Sequence, residues 1–176
     1  MKNNWQIIHG DALAVLRTMA DQSVNCIVTS PPYWGLRNYS VEGQMGLEAT
    51  PEAYTSGMVD VFREARRVLR DDGTCWINIG DGYASSGGAG WQGKNGQRAG
   101  RTHTQENLKR DMRVDGIKPK DLIGIPWMLA FALRADGWFL RSEIIWAKPN
   151  PMPESVTDRP TKAHEHIFLL DRKSGV

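Results

Sequence analysis

An apolar run that ends at two adjacent prolines is the feature that most restricts how this chain can fold. Residues 24–29 are largely apolar and are followed by Ser30, Pro31, Pro32 and Tyr33. A run of this kind is typical of a strand covered on both faces of a parallel sheet. Proline has no backbone N–H and holds φ near about −65°, so a regular strand is expected to end there. The sequence therefore predicts a buried strand whose carboxyl end displays two proline carbonyls between a hydroxyl and an aromatic ring.

Predicted helices alternate with predicted strands along most of the chain. Apolar residues recur at steps of three and four across residues 51–69, which is typical of a helix with one buried face. The predicted strands are residues 5–9, 24–29, 74–79, 140–147 and 164–170, and the predicted helices are residues 12–19, 51–69 and 119–135, with a turn at 71–73. This alternation predicts an α/β fold in which a mostly parallel sheet is flanked by helices.

Composition narrows the class of protein further. A length of 176 residues suggests one domain, and a net charge of +2 permits a nucleic-acid partner without requiring one. Cys26 and Cys75 fall in two predicted buried strands, where reduced core thiols are expected, and their spacing fits neither a disulfide framework nor a zinc site. No apolar run approaches about 18 residues and no leader pattern is present, so we expect a cytoplasmic protein without a membrane span.

The Ser-Pro-Pro-Tyr segment has the groups needed to hold a planar ring that carries an amine. Ser30 and a proline carbonyl, most simply that of Pro31, can accept the two amine hydrogens, and Tyr33 can stack on the ring. Such a site suits chemistry on a nucleic-acid base taken out of the helix. The alternative is a strand followed by a plain Pro-Pro turn. The whole string Thr-Ser-Pro-Pro-Tyr-Trp after an apolar strand favours the functional interpretation.

At these residues the chain resembles the amino-methylating DNA methyltransferases, which move a methyl group from S-adenosylmethionine to the exocyclic amine of cytosine or adenine. The hallmark of that family, (Asp/Asn/Ser)-Pro-Pro-(Tyr/Phe), is met by residues 30–33. The resemblance covers nearly all of the chain and includes residues 9–13, 76–81, 146–151 and 164–170. The order of the motifs is that of the beta group. The resemblance implies an S-adenosylmethionine-dependent methyltransferase (Rossmann-like) fold, double-stranded DNA as the substrate, and a site-specific role of the restriction-modification type.

The resemblance also implies roles for particular residues. Serine in the first hallmark position is more usual among N4-cytosine enzymes, so N4 of cytosine is favoured over N6 of adenine. The catalytic residues would be Ser30, Pro31, Pro32 and Tyr33, and the cofactor-binding residues Gly10, Asp11 and Ser30, with Asp11 near the adenine of S-adenosylmethionine. The DNA contacts would be Trp34, Arg37, Lys94, Arg98, Arg101, Lys148 and Asn150. The transfer needs no metal and no covalent enzyme intermediate, so we expect no metal site.

Some of these residues also have a simpler structural interpretation. Asp11 is well placed to cap the helix that follows it. Trp34 can pack beneath the turn, and the proline-rich loop that begins at Lys148 can be a rigid connector. His164 and His166 share one face of a strand and are expected to be structural, because a metal site needs more ligands than two histidines.

A Gly-rich basic insertion interrupts the alternation at about residues 83–118. Between residues 83 and 113 it has six glycines, and six Lys or Arg residues against two acidic ones. A loop of this length is either a solvated insertion or functional. It leaves the sheet at the carboxyl edge where ligands bind in open α/β folds, so we expect it to order on the DNA backbone. Asp81, just before it, either faces the pocket or caps the loop.

Two parts of the family pattern are not found in the sequence. The Phe-x-Gly-x-Gly cofactor loop and the target-recognition region are missing, so we expect residues 1–176 to form a partial catalytic domain. The missing strands would lie between the first predicted strand and the strand 24–29, which predicts an unpaired edge and exposed apolar surface. A second chain or copy is then expected to complete the sheet. Two alternatives to an active DNA methyltransferase stay open: an inactive or split-enzyme DNA-binding fragment, and an RNA or protein amino-methyltransferase.

Overall fold

The computed structural model of the chain describes residues 5–36, 38–84, 116–151 and 156–173. In order, these residues form the elements α1 (Ala12–Thr18), β1 (Val24–Thr29), α2 (Pro51–Val68), β2 (Leu69–Ile79), α3 (Ile125–Ala135), β3 (Phe139–Ala147) and β4 (His164–Asp171). The strands form one sheet in the order β1-β2-β4-β3. None of the helices described here is long and apolar enough to cross a membrane.

The sheet is mixed, and its strand directions place several strand ends at one edge. β1 pairs with β2 in parallel, whereas β4 is antiparallel to both of its neighbours, β2 and β3. Three of the four described strands therefore run in the same direction, and β4 runs against them. The predicted α/β class is confirmed. The insertion of β4 between two strands of the opposite direction makes the sheet mixed, with only one parallel pairing among the three.

Local sequence explains where the first two helices begin. The Asp11 carboxylate accepts a hydrogen bond from the Ala14 N–H at 2.9 Å and caps α1, as predicted. The Thr50 hydroxyl caps α2 by accepting from the Ala53 N–H at 3.1 Å. Pro51 occupies the first turn of α2, where a backbone N–H has no partner inside the helix.

Helix α3 begins at Ile125 rather than at the predicted residue 119. Gly124 has a φ of 87°, in the left-handed region that favours glycine, and supplies no side-chain cap. Instead, the Asp81 carboxylate at the end of β2 accepts hydrogen bonds from the Gly124 N–H at 3.0 Å and the Ile125 N–H at 3.1 Å. Asp81 therefore caps a helix that lies more than 40 residues further along the chain.

The sequence around β1 differs from the prediction in three ways. Residues 5–9 form no strand, and Trp5, Ile7 and Ile8 are exposed. β1 lies at the edge of the described sheet, and it is not covered on both faces, because Cys26 is exposed and Val28 is 79% exposed. The predicted turn at 71–73 lies within β2, where the pairing with β1 shifts register. The exposed apolar surface agrees with the expected unpaired edge.

The core lies on one face of the sheet. Helices α2 and α3 pack there against strand residues that include Cys75, Ile77 and Phe168, all of which are buried. On the opposite face, Val28, Trp76 and neighbouring residues line only a shallow hollow of about 270 Å³. In the part of the chain that the structure describes, the flanking helices therefore cover one side of the sheet.

Candidate active site

Residues from all four strands meet at one edge of the sheet. Ser30 and Tyr33 follow β1, Asn78 lies near the end of β2, and Lys148 follows β3. Glu165 lies near the start of β4, and because β4 runs in the opposite direction, its start reaches the edge where the other strands end. The site therefore depends on the antiparallel insertion of β4.

The two proline carbonyls have different environments. The buried Tyr54 hydroxyl donates a hydrogen bond of 2.8 Å to the Pro32 carbonyl. Burial, together with the nearby Glu48 carboxylate, raises the pKa of Tyr54 well above its ordinary value, so the hydroxyl stays protonated as a donor. No described residue donates to the Pro31 carbonyl. Pro31 is buried and Pro32 is exposed, so the two prolines differ in exposure as well as in hydrogen bonding.

A second set of contacts fixes the turn after the prolines. The Trp34 indole N–H donates to the Glu48 carbonyl at 3.0 Å, and the Gly35 N–H donates to the Gly46 carbonyl at 2.8 Å. Trp34 is only 5% exposed and packs in the core. The burial favours the packing role for Trp34, and it corrects the prediction that this side chain contacts DNA.

Tyr33 is held at both its ring and its hydroxyl. The ring lies so close to Gly80 that a Cβ atom there would be 2.7 Å from Tyr33 Cε2. The hydroxyl oxygen lies 2.8 Å from Asn78 Oδ1 and 2.9 Å from Glu165 Oε2. Asn78 Oδ1 is also 3.4 Å from the Ser30 hydroxyl, so the contacts extend to the start of the hallmark segment.

Glu165 is the ionised group at the centre of these contacts. Its second carboxylate oxygen pairs with the Lys148 ammonium group. Partial burial opposes ionisation, but the hydrogen bonds from Lys148 and Tyr33 outweigh it and hold the pKa of Glu165 below its ordinary value. The carboxylate is therefore charged at neutral pH.

Two cavities meet at the hallmark residues. The first has a volume of about 430 Å³ and is lined by Ser30, Pro31, Pro32, Tyr33, Leu36, Tyr39 and Glu165. The second, of about 480 Å³, lies between α1, β1 and α2 and is largely apolar, with Asp11 at its border. Ser30, Pro31 and Pro32 line both cavities. The hallmark segment is thus the wall that separates them.

The remaining predicted residues have varied positions. Asp11 caps α1, as predicted, and also lines the second cavity, and Gly10 beside it is exposed. Lys148 pairs with Glu165, whereas Asn150 is exposed in the loop after β3. The predicted DNA contacts Arg37, Lys94, Arg98 and Arg101 lie outside the described residues.

The histidines of β4 have structural contacts. His166 stacks on Phe168, with ring centroids 6.1 Å apart, and its Nδ1 atom is 2.5 Å from a carboxylate oxygen of Glu143. His164 packs edge-on against His166. Among the described residues no group of three or more His, Cys, Asp or Glu side chains could hold a metal ion.

Sequence reasoning did not select Asn78 and Glu165 as site residues. Both fall in segments that carry the family resemblance, residues 76–81 and 164–170, and each is a polar residue within a largely apolar strand. That polarity was the available signal. It could not show which face of the sheet either side chain occupies, since this depends on strand order and register.

The fold is similar to that of solved methyltransferases. A putative DNA modification methylase from Thermus thermophilus, solved with S-adenosyl-L-methionine, aligns with a TM-score of 0.59 and 23% identity over 94% of this chain and 52% of that one. The fold is therefore that of the S-adenosylmethionine-dependent methyltransferases, in an incomplete form. A profile of the DNA methylase family, the N6/N4 amino-methyltransferases, matches residues 24–174, and the chain belongs to this family.

Curated relatives agree with the family assignment. The Type II methyltransferase M.Cfr9I of Citrobacter freundii is 53% identical over 175 residues, which cover 97% of this chain and 55% of that protein. The Type II methyltransferase M.SmaI of Serratia marcescens is 52% identical over 167 residues, with 95% and 56% coverage. The chain thus spans about half the length of the curated relatives it matches.

Proposed function

We propose that this chain carries the target-base half of a DNA methyltransferase that transfers a methyl group from S-adenosylmethionine to an exocyclic amine, at N4 of cytosine. The observation that carries the proposal is the position of the hallmark segment as a wall between two cavities. Ser30 and Pro31 line both cavities, and we propose that a base in the first cavity and a methyl donor in the second meet there.

The wall supplies what the reaction requires. The lone pair of an exocyclic amine is delocalised into its ring, which makes the nitrogen a poor nucleophile. Hydrogen bonds from the amine to the Ser30 oxygen and the Pro31 carbonyl favour a pyramidal nitrogen with its lone pair directed at the donor. These acceptors also stabilise the positive charge that develops on nitrogen. Holding the base on Tyr33 supplies alignment, which accounts for much of the acceleration.

The second cavity suits part of the cofactor. Ile27 and Phe62 contribute an apolar wall for a flat ring, and the Asp11 carboxylate at the border can accept hydrogen bonds from hydroxyl or amine groups. These residues would hold S-adenosylmethionine, which supplies the methyl group when bound. Gly10 beside Asp11 is proposed to allow close approach of the backbone.

DNA is the proposed substrate, and cytosine the proposed base. The family and the Type II methyltransferase relatives support DNA over RNA or protein. Serine at position 30 supports cytosine over adenine. The exposed Asn150 and the basic residues of the insertion, Lys94, Arg98 and Arg101, are proposed as backbone contacts, because cationic and amide groups bind phosphates regardless of sequence.

The test combines binding with product analysis. The purified chain is titrated with S-adenosylmethionine in a calorimeter, with and without a DNA duplex, and the treated duplex is digested to nucleosides for mass spectrometry. We expect binding and N4-methylcytosine, and far less N4-methylcytosine from the Ser30→Ala variant in the same time. N6-methyladenine would overturn the choice of cytosine. A folded chain that does not bind the cofactor would overturn catalysis by this chain alone.

We also propose that further polypeptide, from a second chain or copy, covers the edge at β1. The observation that favours it is the exposed edge strand, with Val28 and the preceding Ile7 both about four-fifths exposed. Edge strands with exposed apolar side chains readily pair with other strands. A chain that binds DNA only after such completion would be part of a split enzyme, and its cofactor affinity would rise when the covering polypeptide is added.

A further inference from the structure

We propose that Glu165 is a positioning residue of this site: its carboxylate, held by Lys148, fixes the Tyr33 ring on which the target base stacks. The inference rests on the proposed function and extends it to a residue that does not take part in the transfer itself. Glu165 lies on a different strand from the hallmark segment, 132 residues away from Tyr33 in the sequence.

The Glu165 carboxylate is close enough to accept a hydrogen bond from the Tyr33 hydroxyl. The single hydroxyl hydrogen lies between two acceptors, Glu165 Oε2 at 2.9 Å and Asn78 Oδ1 at 2.8 Å. A charged carboxylate is a stronger acceptor than an amide, so the hydrogen points to Glu165. Asn78 Oδ1 is then a second, weaker acceptor beside the same hydroxyl.

The Asn78 amide joins the same group of contacts. Its side chain also interacts with Glu165, where it helps to hold the pKa of that carboxyl below its ordinary value. Its Oδ1 atom lies 2.8 Å from the Tyr33 oxygen and 3.4 Å from the Ser30 hydroxyl. The contacts therefore extend from Glu165 through Tyr33 and Asn78 to the start of the hallmark segment.

Lys148 fixes the other side of Glu165. The Lys148 and Glu165 side chains are 38% and 17% exposed, so the ion pair is only partly shielded from water. A pair of this kind contributes little net stability compared with apolar residues, because desolvation offsets the attraction. The location of the ion pair suggests a role in the site instead. Glu165 lines the 430 Å³ cavity, and Lys148 is the first residue of the proline-rich loop after β3. The pair therefore ties the loop after β3 to the ring of Tyr33.

The first test needs no catalysis. The chain has four tyrosines, and it is labelled with 3-fluorotyrosine so that each gives a ¹⁹F resonance. Tyr33→Phe identifies the Tyr33 signal. We expect Glu165→Gln to shift that signal, and Glu143→Gln to leave it in place, because Glu143 contacts His166 on the opposite face. Lys148→Met should shift it as well and serves if the Gln variant does not fold. An unchanged Tyr33 signal in the folded variants overturns the inference.

The second test separates positioning from general stabilisation. We expect Glu165→Gln to lower kcat about tenfold with little change in KM for the cofactor, because a displaced ring misaligns the base. In a Tyr33→Phe background the same change should have no further effect, since Glu165 acts through the Tyr33 hydroxyl. If the two substitutions lower kcat independently, so that their effects multiply in the double variant, the inference is overturned. If the ¹⁹F signal moves but the wild-type chain never methylates DNA, the proposed function fails and the positioning contact stands.

Discussion

The hydroxyl of Tyr54 donates a 2.8 Å hydrogen bond to the carbonyl of Pro32, and this bond anchors the turn after β1 to α2. Because proline carries no N–H, the turn cannot be anchored through the backbone donors of these two residues. The anchor must come from a side chain, and the buried tyrosine of α2 supplies it.

Removing that anchor should loosen the turn. In Tyr54→Phe the Pro32 carbonyl loses its donor, and we expect a loss of about 1–2 kcal/mol in the free energy of unfolding, because a partly buried hydrogen bond is removed. Methyl transfer should fall as well. Urea denaturation measures the first effect and initial rates the second. Tyr39→Phe, at a half-exposed tyrosine, is the control for stability, and equal stability of the two variants would show that the anchor is unimportant.

Substituting Ser30 should remove activity and leave the fold intact. Ser30 is exposed at the cavity wall, and among the described residues its hydroxyl makes only the long contact with Asn78. We expect Ser30→Ala to reduce kcat about a hundredfold, as is typical when one charge-stabilising group is lost. The melting temperature should be unchanged. Full activity in this variant would mean that the serine accepts no amine hydrogen.

A methyl group at Gly80 should displace the stacking ring. A Cβ atom there would lie 2.7 Å from Tyr33 Cε2, so Gly80→Ala forces the ring to move. We expect destabilisation of about 1–3 kcal/mol from overpacking, together with weaker binding of a duplex that contains the target base. Gly57→Ala is the matched control, because it lies in α2 and would meet only the flexible end of Met45. Thermal melts measure the change in stability, and fluorescence anisotropy measures the change in duplex binding.

The Glu165 contacts should make stability depend on pH in acid. The pKa of Glu165 is lower in the folded chain than its ordinary value of 4.5, so the unfolded chain binds the proton more readily. The stabilisation is therefore present above pH 4.5 and is lost as the pH falls through the lower folded pKa. Glu165→Gln should lose less stability over this interval than the wild type. Urea midpoints measured across the acid range test this, and parallel curves for the two proteins would contradict it.

The exposed edge at β1 should make the isolated chain associate. Val28 is 79% exposed on an unpaired strand. We expect concentration-dependent association in sedimentation velocity, and we expect Val28→Lys to reduce it, since a lysine on an edge strand opposes further pairing. Val41→Lys changes an exposed loop valine and provides the comparison. A monomer at all concentrations for every variant would argue against an edge that recruits polypeptide.

Local chemistry in the sequence was enough to predict several features, and long-range contacts account for the rest. The end of β1 at Thr29 and the capping of α1 by Asp11 depend on neighbouring residues, and both were predicted. The start of α3 was misplaced because its cap, Asp81, comes from the end of β2. Glu165 was missed for a related reason: it reaches Tyr33 only because β4 is inserted antiparallel, and sequence periodicity does not reveal strand direction.

The register of β4 has a consequence for copies of the chain that fold wrongly. Ile167 pairs with Asn78 and Glu165 pairs with Trp146, which keeps Glu165 and Asn78 on the same face. A slip of one residue would turn Glu165 away and present a neighbour such as His166, because successive side chains point to opposite faces. Such a copy would keep every residue of the site and still lack the contact between Glu165 and Tyr33. Correct strand alignment is therefore a condition for assembling the site, in addition to the presence of its residues.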